Sequence, residues 1–197
     1  MNWLKKGQIF DPTKFKDKID RPWMKEFSQC VSTLELDDVV RVFFSCRPFN
    51  KNNKATSYTT FLDLDKENLT KIIKVHDKPI LDLGKKGCFD EHAVYPSCVI
   101  KHENNILFYY AGWYRCESVP FNCSIGVAIS SDGENFTRLG DGPILSTSLN
   151  EPFVISGPKV RKFNNKFYMF YLSGTKWIMD KNSPEIVYKI RLATSND

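Results

Sequence analysis

One sequence pattern is written three times along this 197-residue chain. Each copy opens with a short Ile/Leu segment: Gly7-Gln8-Ile9-Phe10, then Lys78-Pro79-Ile80-Leu81, then Gly142-Pro143-Ile144-Leu145. An acidic stretch follows, and then a strand–turn–strand unit. That unit runs from Val31 to Cys46 with a turn at Asp37-Asp38, from Val99 to Gly112 with a turn at Asn104-Asn105, and from Val160 to Gly174 with a turn at Asn164-Asn165. A further strand closes each copy: Tyr58–Leu64, Ile125–Ser130 and Val187–Ser195. The period is roughly 61 to 71 residues, and self-similarity at a long fixed period is the mark of a repeat architecture.

Each repeat is read as all strand. Ile106-Leu107-Phe108-Tyr109-Tyr110 and Phe167-Tyr168-Met169-Phe170-Tyr171 are dense in β-branched and aromatic residues. Asp and Asn tolerate positive φ, which suits tight hairpin turns, and Ser131-Asp132-Gly133 is one more such signal. No stretch keeps a 3.6-residue apolar period long enough for a core helix. The expected fold is therefore an all-β propeller with about three four-stranded blades. The blades fall at approximately 13–82, 83–146 and 147–197, within one domain over 1–197.

The ends extend the pattern. Asn2-Trp3-Leu4-Lys5-Lys6-Gly7 reads like Asn135-Phe136-Thr137-Arg138-Leu139-Gly140, the outermost strand of a blade, so 1–12 is expected to be the closing outer strand of another blade. Ala193-Thr194-Ser195-Asn196-Asp197 aligns with Ala128-Ile129-Ser130-Ser131-Asp132. On that alignment the chain reads as part of a longer propeller. An unpaired blade edge invites self-association.

Composition narrows the function classes. The net charge is +5 against 28 basic and 23 acidic residues, with the Lys and Arg scattered, so no nucleic-acid partner is expected. The first residues carry no apolar leader and no run approaches a membrane span, so no membrane partner and a cytoplasmic location are expected. No cofactor motif is present. The six cysteines show no CxxC spacing, so no metal site is expected, and Cys30 and Cys98 read as small buried residues of inner strands. His76 and His102 fall in turns.

In a propeller, the loops leading into the inner strands gather at one mouth of the channel, and ligand sites form in such concave spaces. Here those loops hold Asp20 and Glu26 in the first repeat, Asp90, Glu91 and His92 in the second, and Glu151 in the third. Asp90 and Glu151 each lie nine residues before the aligned valines Val99 and Val160. Converging carboxylates push one another's pKa values apart, which supplies both an acid and a base. Equally, Asp and Glu in loops cap turns or face solvent. Past the second strands come Arg47, Trp113-Tyr114-Arg115 and Lys176-Trp177, and Tyr188 follows a long polar loop from Asp180 to Glu185. Aromatic rings stack on sugar faces, and Arg or Lys donate to hydroxyls, carboxylates or phosphates. The competing reading wedges Trp113 and Trp177 between blades.

The run Phe89-Asp90-Glu91-His92-Ala93-Val94-Tyr95-Pro96-Ser97, the corner Tyr110-Ala111-Gly112-Trp113 and the stretch Ser130 to Phe136 resemble the five-bladed propellers of the arabinanase/levansucrase/invertase superfamily. Glu151-Pro152-Phe153 and Tyr171 to Trp177 add to the likeness. That superfamily includes glycoside hydrolase families 32, 43, 62, 68 and 130. The nearest resemblance is to bacterial glycosyl hydrolase-like members. It implies a five-bladed ring and one acidic residue from each of the first three blades. Asp20 or Glu26 would be the base or nucleophile, Asp90 the tuning acid (with Glu91 or His92 as substitutes), and Glu151 the general acid. The Asp of an Asp-Pro-Ser start is missing, its place falling near Phe27 and at Tyr95.

Two functions follow as expectations. The first is a glycoside hydrolase-like enzyme that cleaves or transfers a glycosidic bond with paired carboxylates at the mouth. The second is a saccharide-binding propeller, without catalysis, serving surface-polysaccharide metabolism. A protein scaffold rests on architecture alone.

Overall fold

A computed structural model describes residues 1–16, 18–49 and 55–197. All of its regular structure is β, in three antiparallel sheets. The first holds β1 (Glu26–Glu35), β2 (Val39–Arg47), β3 (Tyr58–Asp65) and β4 (Ile72–Val75), hydrogen-bonded in chain order. The second repeats that order with β5 (Ala93–His102), β6 (Asn105–Tyr114), β7 (Asn122–Ser130) and β8 (Thr137–Arg138). The third holds β9 (Ile155–Phe163), β10 (Lys166–Asp180) and β11 (Ser183–Ser195). The sheets are blades of a propeller-type fold, not closed into a ring among the described residues. Among the described residues no helix is long and apolar enough to cross a membrane.

Registers repeat from blade to blade. Phe108 pairs with Val99 on one side and Ala128 on the other. Met169 pairs with Val160 and Ala193 in the same way. Between the first two blades lies an apolar core: Phe43 and Phe61 meet Phe108 and Phe136, with Ile80 and Leu81 closing it. Phe43 sits 5.9 Å from both Phe108 and Phe136, centroid to centroid, spacings that favour tilted and edge-on rings. Burying such rings is worth about 1.5–3 kcal/mol each, which binds blade to blade. Beneath this core Arg41 donates to Asp63 (2.7 and 2.8 Å) and to Glu134 of the next blade (2.9 Å), and its guanidinium lies 3.8 Å over the Phe61 ring.

Several expectations are corrected. The second hairpin turns at Glu103-Asn104, because Asn105 already pairs with His102 and Glu103 takes φ 53°. His102 therefore belongs to β5. His76 is buried, with its ring stacked on Phe61 at 4.3 Å. Cys98 is buried as expected, but Cys30 is exposed. Cys30 and Phe27 take φ of 56° and 63° at two register shifts in β1, and these bulges turn Cys30 outward. The long polar loop expected from Asp180 to Glu185 is a two-residue turn, Lys181-Asn182, at φ 46° and 65°. β10 and β11 pair without a loop up to Asp180↔Ser183. This hairpin outruns β9, whose pairing with β10 stops at Ser173↔Ile155.

Residues 1–10 lie outside the three sheets, with Trp3 89% and Leu4 75% exposed. Phe10 then packs on Phe15 and Phe44, on the face of the first blade turned away from the second.

Candidate functional site

Among the described residues no two of the five carboxylates Asp20, Glu26, Asp90, Glu91 and Glu151 share a hydrogen-bond or ion-pair partner. Asp20 is solvent-exposed and pairs with Lys25 at 3.0 Å. Glu26 opens β1 opposite Arg47. Glu91 accepts from the Gly87 N–H at 2.9 Å and lies 3.9 Å from His92 Nε2.

Asp90 is only 1% exposed. Its Oδ2 accepts from the Tyr110 hydroxyl at 3.1 Å and from Arg138 Nε at 2.8 Å. Two glycines make room for it. A Cβ on Gly112 would stand 2.4 Å from Asp90 Cβ, and one on Gly84 would stand 1.9 Å from Oδ1. Tyr110 is pushed up in pKa by burial and then by the Asp90 charge, so its phenol stays a donor.

Glu151 repeats that motif in the third blade. The Tyr171 hydroxyl is 3.1 Å from both carboxylate oxygens and Arg191 Nε is 3.2 Å from Oε1. Burial, then the hydrogen bond to Glu151, raises Tyr171. Glu151 is half-buried and Arg191 stands partly in solvent, so this carboxylate, unlike Asp90, is within reach of a ligand. In the first blade the backbone bond Lys25 N–H to Arg47 O matches His92 N–H to Trp113 O. On that alignment Trp23 stands where Asp90 stands in the second blade.

Four aromatic rings come together. His92 stacks on Trp113 (centroids 6.1 Å, planes 24° apart), Trp113 meets Phe121 at 6.1 Å, and Phe121 meets Trp177 at 5.8 Å. All four rings are half-buried, forming a continuous aromatic row where β6 ends and the β10–β11 hairpin rises. Trp113 directly follows Gly112 while Trp177 stands three residues past Gly174, with a bulge between, so the two are not at matching strand positions. Phe121 bridges them instead. Tyr188 lies opposite Gly174 and is pushed up to about 12 by burial, with Cys123 and Glu185 adding to it. Cys123 is the strand partner of Trp113, which brings Tyr188 to the same corner. Lys176 is exposed on the hairpin.

Arg47 and Arg115 both have partners. Arg47 donates to the Tyr95 hydroxyl at 2.9 Å and lies 4.7 Å over the Phe27 ring. Arg115 donates to the Ala55 carbonyl at 2.8 Å. Burial first, then the Arg115 charge, lowers the pKa of His92 and keeps its imidazole neutral. Arg47 Nε, His92 Nδ1 and Trp113 Nε1 are buried atoms with no hydrogen-bond partner among the described residues. Buried donors without partners cost free energy, about 1–3 kcal/mol each, which a ligand's acceptors would recover. Such a row can hold an apolar ring face while the donors take hydroxyl or anionic oxygens.

Sequence reasoning missed Phe121, Tyr95, Arg138 and Arg191. Phe121 stands in Pro120-Phe121-Asn122, a run that the first repeat also carries as Pro48-Phe49-Asn50 after its second strand. Tyr110 and Tyr171 stand in the corner motifs, each eleven residues past the aligned valines Val99 and Val160, and that shared spacing was the available signal.

No family model matches the chain. An uncharacterized protein of Mycobacterium tuberculosis is 30% identical over 198 residues, covering 100% of this chain and 62% of that protein. This chain thus spans less than two thirds of that relative. The β-1,2-mannobiose phosphorylase of a Thermoanaerobacter species is 32% identical over 120 residues, 55% of this chain and 39% of the enzyme. Among solved structures, Zg3597, a family 117 glycoside hydrolase produced by the marine bacterium Zobellia galactanivorans, superposes with TM-score 0.64 at 10% identity, over 86% of this chain and 52% of that one. The sucrose-6-phosphate hydrolase from Lactobacillus gasseri superposes with TM-score 0.58 at 16% identity, over 81% and 30%. At such identities the structural likeness establishes the fold.

Proposed function

We propose that this chain is carbohydrate-active, of glycoside hydrolase-like type, with a saccharide seated on the row His92–Trp113–Phe121–Trp177. The observation that carries this reading is the row itself, with buried, unpartnered ring nitrogens on His92 and Trp113. Sugar rings present apolar C–H faces to aromatic planes, and their hydroxyls accept from such donors. The partial match to a mannobiose phosphorylase supports the same class of ligand. Glu151 is the carboxyl assigned to protonate the leaving oxygen, with Tyr171 and Arg191 orienting it. Asp90 is assigned a positioning role, since Arg138 and Tyr110 already occupy it. Glu26 is the first-blade carboxylate left for the second catalytic role, and Asp20 stands in solvent.

A second reading, saccharide binding without turnover, is favoured by the pairing of both Asp90 and Glu151 with arginines. β-1,2-Mannobiose, offered with and without inorganic phosphate, separates the two. The expected result is binding that weakens about tenfold in Trp113→Ala, the scale of one lost aromatic contact, together with turnover that disappears in Glu151→Gln while binding stays. Binding without turnover in the unaltered chain selects the second reading. Binding that ignores Trp113→Ala sinks the row as the site.

A further inference from the structure

The inner strands stand side by side, β1 against β5 and β5 against β9. Each blade brings one polar side chain to this region: Arg47 from the end of β2, Tyr95 from β5 and Lys159 from β9. Arg47 crosses from the first blade to the second, donating from Nη2 to the Tyr95 hydroxyl at 2.9 Å. Its guanidinium lies 4.7 Å over the Phe27 ring. Stacking of that kind uses the flat face of the guanidinium and leaves its N–H edge for acceptors in the plane. The Tyr95 hydroxyl accepts from Arg47, and its own hydrogen has no acceptor among the described residues. Lys159 crosses from the third blade to the second, donating from Nζ to the Ser97 carbonyl. Ser97 sits where the β5–β6 register shifts, between Pro96 and Cys98.

The two cations share a neighbour. Burial raises the Cys30 thiol, while a hydrogen bond with Ser45 and the charges of Arg47 and Lys159 pull it back down. Cys30 is itself exposed, turned outward by the bulges of β1. Positive charge from the first and third blades therefore converges on one accessible point.

No acid answers that charge. Among the described residues neither Arg47 nor Lys159 has a carboxylate partner; one is held by a phenol and the other by a carbonyl. Glu26 is opposite Arg47 in the β1–β2 register and makes no ion pair with it. Arg41 and Arg138, by contrast, each hold acids, Asp63 and Glu134 for the first and Asp90 for the second. Arg47 Nε is buried without a hydrogen-bond partner. A half-buried cation without a counter-charge has given up hydration and recovered nothing for it, and a bound anion restores the balance.

We propose that Arg47, Tyr95 and Lys159 form an oxyanion site that takes a phosphate or carboxylate group, the two cations neutralising its charge and the Tyr95 hydroxyl donating to it. Charge-assisted bonds from a guanidinium edge and an ammonium suit either group. The site recognises charge where the aromatic row recognises apolar ring faces, so it is independent of the saccharide reading.

Cys30 serves as the reporter. Cationic neighbours favour its thiolate, the form that alkylates. An anion held between them covers the thiol and cancels their charge, so labelling slows. The measurement is the rate of Cys30 labelling by iodoacetamide, a neutral reagent, followed by peptide mass spectrometry. Inorganic phosphate, glucuronate or uncharged mannose is present, with ionic strength held constant by chloride. Slowing by phosphate alone assigns a phosphate group, slowing by glucuronate alone a carboxylate, and slowing by both either one; each supports the proposal. The half-saturating concentration of the effective anion is expected to rise about tenfold or more in Arg47→Gln and in Lys159→Gln, the scale of one charge-assisted hydrogen bond. Lys159 is exposed, so its variant carries the test should Arg47→Gln fail to fold. Slowing by neither anion, or by mannose as much as by the anions, overturns the proposal. Half-saturation unchanged in Lys159→Gln overturns it too.

Discussion

Arg138 grips Asp90 through two nitrogens, Nε at 2.8 Å and Nη2 at 2.7 Å from the same carboxylate oxygen. Arg138 also donates from Nη2 to the Asp82 carbonyl. One guanidinium therefore ties the outermost strand of the second blade to the loop that leads into its innermost strand. Removing one partner of a buried pair strands the other charge. Asp90→Ala is expected to cost about 3–5 kcal/mol, and the Asp90→Ala/Arg138→Met double variant less than the sum of its parts. Urea unfolding reads both. An Asp90→Asn variant as stable as the unaltered chain would show that the charge pair ties nothing together.

The space beside Asp90 is equally constrained. A Cβ on Gly112 would stand 2.4 Å from Asp90 Cβ and 2.7 Å from the Phe89 ring. Gly112→Ala is expected to destabilise by about 1–3 kcal/mol, the usual scale of overpacking. Gly140→Ala, with nothing within 4 Å, should shift the unfolding midpoint hardly at all. Equal effects of the two substitutions would refute the close fit.

Phe136 is the plug of the first inter-blade core, 5.4 Å from Phe108 and 5.9 Å from Phe43. Phe136→Ala is expected to cost about 3–5 kcal/mol through lost burial and the cavity left behind. Leu149→Ala, at a site 96% exposed, should fall within about 0.5 kcal/mol of no change. Calorimetric melting of both variants checks the contrast.

His76 gives the fold an acid limit. Burial against Phe61 lowers its pKa, with Asp77 opposing and Lys74 adding to the shift, and neither ring nitrogen has a hydrogen-bond partner among the described residues. The folded chain thus holds the neutral imidazole, while the unfolded chain takes the proton near the ordinary value of about 6.5. Its contribution is complete above that value and is lost as pH falls through the lower folded one. His76→Phe keeps the ring stack and removes the titration. Unfolding midpoints followed downward from about pH 8 should fall more steeply for the unaltered chain than for the variant. Parallel curves would show that His76 takes no part.

The repeat was legible because it sits in short-range chemistry. Paired Asn residues force the turn at 164–165, and aromatic β-formers such as Tyr168 and Phe170 mark the strand that follows. Other features depend on partners distant in sequence. The bulges at Phe27 and Cys30 arise from strand register, which no local pattern encodes. Asp90 stood out as a loop carboxylate before an inner strand, while its pairing with Arg138, 48 positions away, depends on the fold. The aromatic row was half legible. Trp113, Trp177 and His92 stood out by residue type, while the meeting of Phe121 with Trp177, 56 positions along the chain, is set by the fold.

The hairpin of β10 and β11 outlives its sheet. Past Ser173 it has lost β9 and continues as two strands alone to the turn at Lys181-Asn182. Two-stranded ribbons are marginal in water, so the amides of this arm are set to exchange with solvent by a local opening that leaves the blades intact. Its contact with the second blade includes the edge-on meeting of Trp177 and Phe121. The aromatic row is therefore hinged at one end. Trp177 rides on that arm while Trp113 is held within a four-stranded sheet, so an opening of the arm carries Trp177 away from Phe121 and leaves the rest of the row in place.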